Sequence, residues 1–128
     1  MYTRKRKQSV RCPIERGLNI LGGRWKSRII CVLAKKKLLR YNELRREMAN
    51  VSDTVLAAAL KELLADGIVQ RRQYDEIPPR VEYSLTERGK SCVPILQAVA
   101  QWAGGSVPKD DGSPEAALCI QCNYIDLP

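Results

Sequence analysis

The side chains best suited to chemistry in this 128-residue sequence are its five cysteines, because the chain has no histidine. Cys12 directly precedes Pro13, which is favoured at the first position of a helix, so its sulfur is expected near a helix N-terminus. The helix dipole and the flanking cations Arg11 and Arg16 both favour the reactive thiolate. Cys12 is therefore the candidate redox-sensing residue, and the alternative is a small capping or packing residue.

A second cysteine feature is the C-x-x-C pair Cys119 and Cys122 near the end of the sequence. Such a pair is half of a four-sulfur zinc site, a redox couple that closes into a disulfide, or a spacing without function. A zinc site would need two further sulfur ligands from a partner subunit, so we assign no metal. Cys31 and Cys92 lie among apolar residues of helical segments and are expected in the core.

The sequence contains no recognisable catalytic constellation. It lacks histidine, a phosphate-binding glycine motif and carboxylates paired in a plausible pocket. We therefore expect a protein that is not an enzyme and that carries no cofactor.

The distribution of charge indicates a polyanionic partner. The chain has 22 Lys and Arg residues against 14 Asp and Glu residues. Residues 1–40 hold 13 of the basic residues and one acidic residue, whereas the remainder holds 9 basic and 13 acidic residues. This asymmetry is typical of nucleic-acid binding. Residues 1–11, with the run Arg4-Lys5-Arg6-Lys7, are predicted to form a basic N-terminal arm.

Membrane association is not indicated by the sequence. It has no apolar run long enough to span a bilayer, no amphipathic segment rich in aromatic residues and no secretory signal. A cytoplasmic protein without a membrane partner is expected.

The segment from Ser52 to Gly67 is predicted to be a helix that reads DNA. Ser52 is a good N-cap, and Gly67 lies where a left-handed residue usually ends a helix. The face predicted to be buried comprises Val55, Leu56, Ala59, Leu60, Leu63 and Leu64. The opposite face, which we call the reading strip, comprises Asp53, Thr54, Ala57, Ala58 and Lys61. It lacks bulky aliphatics and could approach a groove closely, although a merely solvated helix face is the alternative.

A short helix is predicted to precede the reading helix. Asn42 is its expected N-cap, and Leu44 and Met48 lie on one side of it. Only residues 49–51 separate the two helices, which is the length of a helix-turn-helix turn.

Two strands are predicted after Gly67 and should pair as a hairpin. Residues 68–74 and 81–85 alternate in the period of two of half-buried strands. Pro78 and Pro79 stiffen the loop, so that Arg80 leaves it in a restricted direction towards phosphate or a minor groove. Arg71 on the first strand is a further DNA-contact candidate, and for such arginines a purely solubilising role is the alternative.

Three further helices are expected, one beginning at Pro13, one around Trp25 to Leu33 and one after Thr86. The last carries an apolar stripe with helical spacing: Cys92, Ile95, Leu96, Val99, Trp102 and Ala103. This stripe is a candidate homodimer surface, and packing within one subunit is the alternative. Residues 12–103 are therefore predicted to form one DNA-binding and dimerisation domain, and residues 104–128 a linker followed by the C-x-x-C tail.

Several ordered motifs resemble those of one known family. They are Cys12-Pro13-Ile14-Glu15-Arg16, Leu21-Gly22-Gly23-Arg24-Trp25-Lys26, Tyr41-Asn42-Glu43-Leu44-Arg45, Leu60-Lys61-Glu62-Leu63 with Asp66-Gly67-Ile68-Val69, and Pro78-Pro79-Arg80-Val81-Glu82-Tyr83-Ser84-Leu85-Thr86. Over about residues 12–103 the sequence resembles the HxlR-type branch of the MarR-like winged-helix transcription regulators.

This resemblance implies a mainly α-helical winged helix-turn-helix with a small β-hairpin, dimeric through its terminal helices. It implies binding to a pseudo-palindromic double-stranded DNA operator, with the helix that starts at Ser52 in the major groove and the hairpin as wing. Similar proteins are repressors or activators, and several respond to small electrophiles or oxidants through a cysteine at the position of Cys12. A winged-helix protein-interaction module without specific DNA binding is the alternative function.

The reading strip departs from the family pattern, because similar proteins carry more long polar side chains there. Alanine can still touch a thymine methyl group, Thr54 can bond a base edge or a phosphate, and Asp53 can accept from cytosine. Direct hydrogen bonds to bases are expected to be sparse, so that specificity would lean on DNA shape.

Overall fold

The computed structural model describes residues 12–23 and 25–103 of the chain. The elements are α1 (Pro13–Leu21), α2 (Lys26–Lys36), β1 (Leu39–Arg40), α3 (Tyr41–Glu47), α4 (Asp53–Ala65), β2 (Val69–Tyr74), β3 (Arg80–Leu85) and α5 (Glu87–Trp102). The predicted N-terminal arm, Arg24 and residues 104–128 with Cys119 and Cys122 lie outside the described residues. The fold is mainly helical with a small antiparallel sheet of strand order β1-β3-β2, as the winged-helix prediction requires.

Strand β1 is an addition to the predicted hairpin. Leu39 pairs with Tyr83 and Arg40 with Glu82, so the segment before α3 lies against β3. Two residues are too few to show an alternating pattern in a sequence, which explains why only the longer strands were predicted.

The core lies between α2, α3, α4, α5 and the sheet and is built mainly from aliphatic side chains, in agreement with the absence of Phe. Its largest fully buried members are Ile29, Ile30, Leu33, Leu44, Met48, Leu56, Leu63 and Ile68. Within residues 12–23 and 25–103, no helix combines the length and the apolar character that a membrane crossing requires.

The start of α3 differs from the prediction. The N-cap is Arg40 and not Asn42, and the backbone N–H of Arg40 donates to Glu43 Oε1 at 2.8 Å. Pairing with β3 holds Arg40 in an extended conformation, so the helix begins immediately after the strand. Asn42 consequently lies inside the first turn.

Gly67 ends α4 and Thr86 precedes α5, as the sequence predicts, and a hydrogen bond between them joins the two helix ends. Gly67 adopts a φ of 74°, the left-handed conformation that glycine accepts without strain. Thr86 caps α5, because its Oγ1 accepts from the N–H of Gly89 at 3.0 Å. The same hydroxyl donates to the carbonyl oxygen of Gly67 at 2.5 Å.

Candidate nucleic-acid interface

The N-terminus of α4 is fixed by Ser52. Its Oγ accepts from the backbone N–H of Val55 at 3.2 Å, so the predicted N-cap is confirmed. The hydroxyl satisfies a free donor of the first turn and thereby sets where the reading strip begins.

The reading strip lies on the exposed face of α4. All five of its members are exposed: Asp53, Thr54, Ala57, Ala58 and Lys61. The opposite face is buried through Leu56, Leu60 and Leu63, as predicted. Val55 is an exception, because it was expected in the core and is 40 % exposed. It lies about 100° around the helix from Leu56, at the edge of the buried face.

Asp53 does not present a free carboxylate. Its Oδ1 lies 2.5 Å from Nε of Arg45 on α3, and the hydroxyl of Tyr41 donates to the same oxygen at 3.2 Å. The carboxylate therefore links the two helices of the motif, and its geometry is better explained by holding their crossing angle than by accepting a bond from cytosine.

The Tyr41 hydroxyl gives this link a pH dependence. Burial raises the pKa of Tyr41 above 10.0, and the hydrogen bond to Asp53 and the negative charge of that carboxylate act in the same direction. The folded state thus favours the neutral phenol. The contribution of Tyr41 to the free energy of unfolding is fully present below the pKa that this residue has in the unfolded chain. It is lost as the pH rises through the higher pKa of Tyr41 in the folded state.

Tyr41→Phe removes the hydrogen bond but keeps the ring. We expect it to lower the free energy of unfolding by about 1 kcal/mol at neutral pH, the usual net value of such a bond. We also expect the loss of stability above pH 10.0 to become shallower than in the wild type. Urea unfolding at neutral and alkaline pH measures both effects. Tyr74→Phe is the matched control, and an unchanged alkaline profile in Tyr41→Phe would contradict the assignment.

A polar cleft adjoins the N-terminus of α4 at the turn of the motif. It has a volume of about 430 Å³ and is lined by Asn42, Arg45, Arg46, Ala49, Asn50 and Val51. A concave surface that carries two guanidinium groups beside a reading helix suits a DNA phosphate. Arg45 and Arg46 were not among the predicted DNA-contact residues, although two consecutive arginines on the outer face of α3 were a usable signal.

The wing is the hairpin of β2 and β3, in which Tyr74 pairs with Arg80 and Arg71 with Tyr83. The guanidinium carbon of Arg80 lies 3.8 Å from the centroid of the Tyr74 ring. Its Nη2 lies 2.9 Å from Glu76 Oε2, and its Nη1 lies 3.6 Å from Glu82 Oε2. The side chain of Arg80 is therefore held by Tyr74 on the paired strand and by Glu76 and Glu82. Its predicted contact with phosphate or a minor groove stays a prediction.

Two arginines of β2, Arg71 and Arg72, are more accessible to solvent than Arg80 of β3. Arg71 is exposed, as a DNA-contact residue requires. Arg72, which was not among the predicted DNA-contact residues, is also exposed, and its guanidinium carbon lies 5.0 Å from the Tyr74 ring centroid. Tyr74 thus has arginines from both strands against its ring, which stiffens the wing while leaving positive charge at its surface.

The cysteines of the described residues fall into two environments. Cys12 is exposed at the N-cap of α1, and its carbonyl accepts from the N–H of Arg16 at 3.0 Å. Cys31 and Cys92 are 2 % and 6 % exposed, so their predicted core positions are confirmed. Burial raises the pKa of the Cys92 thiol above 9.0, which disfavours its reactive form, and Arg88 opposes the effect only in part. Across residues 12–23 and 25–103, no three cysteine, aspartate or glutamate side chains are grouped to hold a metal ion.

Comparison with known proteins identifies the family. Residues 20–111 match the HxlR-like helix-turn-helix family. The chain belongs to this family. An HTH-type transcriptional regulator of Methanothermobacter thermautotrophicus is 44 % identical over 91 residues, which are 71 % of this chain and 69 % of that protein.

Solved structures of HxlR-like and MarR-family regulators share the fold. The redox regulator HypR in its oxidized form is 39 % identical, with a TM-score of 0.67 and coverage of 74 % of this chain and 97 % of HypR. Diamide-treated YodB from Bacillus subtilis is 33 % identical, with a TM-score of 0.64 and coverage of 73 % and 93 %. The chain is thus a winged helix-turn-helix transcription regulator of the HxlR-like, MarR-related group.

Proposed function

We propose that this HxlR-like protein is a sequence-specific repressor or activator that binds a pseudo-palindromic operator as a homodimer in the cytoplasm, without enzymatic activity. In the proposed complex α4 enters the major groove and the wing lies over the adjacent backbone. The observation that carries the proposal is the exposed reading strip on α4, whose N-terminus adjoins the cleft that Arg45 and Arg46 of α3 line.

The reading strip supports a particular mode of recognition. Ala57 and Ala58 allow the helix to approach base edges closely and can contact thymine methyl groups, and the Thr54 hydroxyl can bond a base or a phosphate. Asp53 is engaged by Arg45, so few direct hydrogen bonds to bases are available. DNA shape and deformability therefore supply much of the specificity.

Phosphate contacts are assigned to basic residues around the strip. Lys61 lies at its C-terminal end, Arg46 borders the cleft on α3, and Arg71 and Arg72 are exposed on the wing. Arg80 adds positive potential and stiffens the hairpin through Tyr74. These contacts fix the register of α4 on the duplex without reading sequence.

The terminal helices support a homodimer. On α1, Ile14 and Leu18 are 72 % and 64 % exposed, and on α5, Ile95, Val99 and Trp102 are 52 %, 55 % and 88 % exposed. The predicted α5 stripe is divided, because Cys92 and Leu96 pack against the core of the subunit. Exposed apolar side chains of this size favour burial against a second copy, which would place two reading helices on successive half-sites.

The proposal is tested by binding of the full chain to duplexes from the region upstream of its own gene. We expect affinity to fall steeply with salt, because several phosphates are neutralised, and a footprint of two half-sites about one helical turn apart. A winged-helix module that binds only proteins would show neither a salt-dependent specific complex nor a footprint, and that result would overturn the proposal.

Cys12 is proposed as the sensing residue. Its sulfur is exposed at the first turn of α1, whereas the thiol of Cys92 is buried. HypR is described as a redox regulator and YodB has been studied after diamide treatment, so thiol chemistry occurs among similar proteins. An electrophile or oxidant that modifies Cys12 would alter α1, one of the two helices of the proposed subunit contact.

Cys12→Ser should abolish release of DNA by diamide while leaving affinity for the untreated operator unchanged. The reason is that serine keeps the backbone cap of α1 but removes the nucleophilic sulfur. Fluorescence anisotropy with a labelled operator, before and after diamide, measures the effect. Cys92→Ser is the control and should respond as the wild type does, and release from Cys12→Ser at the wild-type diamide concentration would place the sensor elsewhere.

A further inference from the structure

An amphipathic cavity lies on a part of the molecule that the DNA-binding surface does not use. Its volume is about 320 Å³, and it is lined by Leu33, Ala34, Lys37, Gln70, Ser84, Leu85, Lys90 and Val93. The C-terminal end of α2, the base of the wing and the start of α5 therefore share its walls. None of these lining residues belongs to the reading strip or to the arginine cleft.

The floor and the rim of the cavity differ in chemistry. The side chains of Leu33, Leu85 and Val93 are buried and aliphatic, so this part suits an alkyl chain. The exposed residues Lys37 and Lys90 each supply an ammonium group to the rim, and none of the lining residues within 12–23 and 25–103 carries a carboxylate. Lys90 Nζ lies 3.2 Å from Oε2 of Glu87 in an exposed ion pair. The two lysines and this carboxylate therefore leave a net charge of about +1 at the rim, which an anionic ligand could neutralise.

Lys37 reaches this rim through an unfavourable backbone conformation. Its φ of 75° and ψ of −51° are rare for a residue with a side chain. Lys37 is the central residue of a γ-turn, in which the N–H of Leu38 donates to the carbonyl oxygen of Lys36 at 2.9 Å. The lysine has no ion-pair partner among residues 12–23 and 25–103. The ammonium group of Lys37 at the rim is therefore available to an anion.

The base of the wing supplies a neutral polar wall. Gln70 and Ser84 are paired across β2 and β3, and Gln70 Nε2 donates to Ser84 Oγ at 3.1 Å. The remaining amide and hydroxyl capacity of this pair can face a ligand head group between the two lysines.

We propose that this cavity binds a short aliphatic monocarboxylate, with the alkyl chain on the Leu33, Leu85 and Val93 floor and the carboxylate between Lys37 and Lys90. Among the described residues that line it, none has an aromatic ring that would favour a planar ligand by stacking. At about 30 Å³ for each water-sized group, the cavity holds roughly ten non-hydrogen atoms, the size of octanoate.

The cavity stays accessible in the proposed homodimer. At about 100° per residue, Val93 lies roughly 120° to 180° around α5 from Ile95, Val99 and Trp102. An occupant would contact α2, the wing base and α5 at once, and would not compete for the reading strip.

The test uses DNA-free full-length protein, so that its outcome is separate from that of the operator assay. We expect isothermal titration with sodium octanoate to show saturable binding, and octanamide, which has the same size but no charge, to bind at least about tenfold more weakly. Backbone amide shifts of Gln70 and Ser84 should move with octanoate in protein NMR spectra.

Variants separate the two halves of the site. Lys37→Met combined with Lys90→Met should weaken octanoate binding about tenfold or more, whereas Lys36→Met removes an adjacent charge outside the cavity and should not. Ala34→Phe fills the apolar half and should abolish binding. Lys37→Gly relieves the backbone strain, so it should raise the unfolding midpoint while weakening octanoate binding.

Three results would overturn the proposal. They are no saturable binding of octanoate to the wild type, equal binding of octanamide, and wild-type affinity in the double methionine variant. Because Lys37→Gly is expected to be more stable than the wild type, its loss of octanoate binding cannot be attributed to unfolding.

Discussion

Gly89→Ala should destabilise the domain by about 3 kcal/mol or more, the upper part of the range for overpacking a core. A Cβ at this position would overlap the carbonyl oxygen of Ile68 and would lie 3.2 Å from Cδ2 of Leu85. The Ile68 carbonyl cannot withdraw easily, because it also accepts from the N–H of Thr86 at 3.0 Å. The substitution therefore forces α5 away from the sheet, and chemical denaturation measures the cost.

The sign of this effect distinguishes packing from helix propensity. Alanine is favoured over glycine in a helix by about 1 kcal/mol, so propensity alone predicts stabilisation. Gly17→Ala in α1 is the matched control, because a Cβ there meets nothing within 4 Å. We expect a gain of about 0.5 to 1 kcal/mol for Gly17→Ala. Equal effects of the two substitutions would show that the close approach of α5 to Ile68 is not rigid.

Ala57→Glu should weaken operator binding about 100-fold. Ala57 is exposed in the middle of the reading strip, and a carboxylate there would face the DNA at close range. Repulsion between like charges in an interface costs several kcal/mol, and each 1.4 kcal/mol is a factor of ten in affinity. Anisotropy titration with the operator duplex measures the change, and circular dichroism confirms that the helix content is unaltered.

Ala65→Glu provides the matched control for this substitution. Ala65 is exposed on the same helix and lies eight residues further on, about 12 Å along the axis. We expect less than a threefold change in operator affinity, because the added carboxylate is distant from the strip. If Ala57→Glu bound the operator as tightly as Ala65→Glu, α4 would not be the helix that enters the groove.

The helices that position the reading strip could be predicted where their sequence signals are local, such as a capping residue or a helical spacing of leucines. Ser52, Gly67 and Thr86 mark helix boundaries by their own hydrogen bonds or backbone conformation, and the structure confirms all three. The leucines of α4 repeat with helical spacing, which identifies the exposed strip as the opposite face. Capping and periodicity need no knowledge of the tertiary structure.

The features that the sequence did not predict depend on contacts between different elements of the fold. Arg40 caps α3 because β3 holds it, and that pairing joins segments about 40 residues apart. Asp53 and Arg80 have acceptable local signals for DNA contact, yet each meets a partner that sequence spacing does not reveal, Arg45 for the first and Tyr74 for the second. The sequence can place a charged side chain on one face of a helix or strand, but it does not identify the residues that the side chain contacts.

The hydrogen bonds of Thr86 have a mechanical consequence. Its hydroxyl and N–H bind the carbonyls of Gly67 and Ile68, while the hydroxyl also receives the N–H of Gly89. One residue thus fastens the end of α4 to the first turn of α5. In the proposed homodimer, a rotation of α5 against the second subunit would therefore move α4 with it. A small displacement far from DNA would then change the distance between the two α4 helices proposed to enter the major groove.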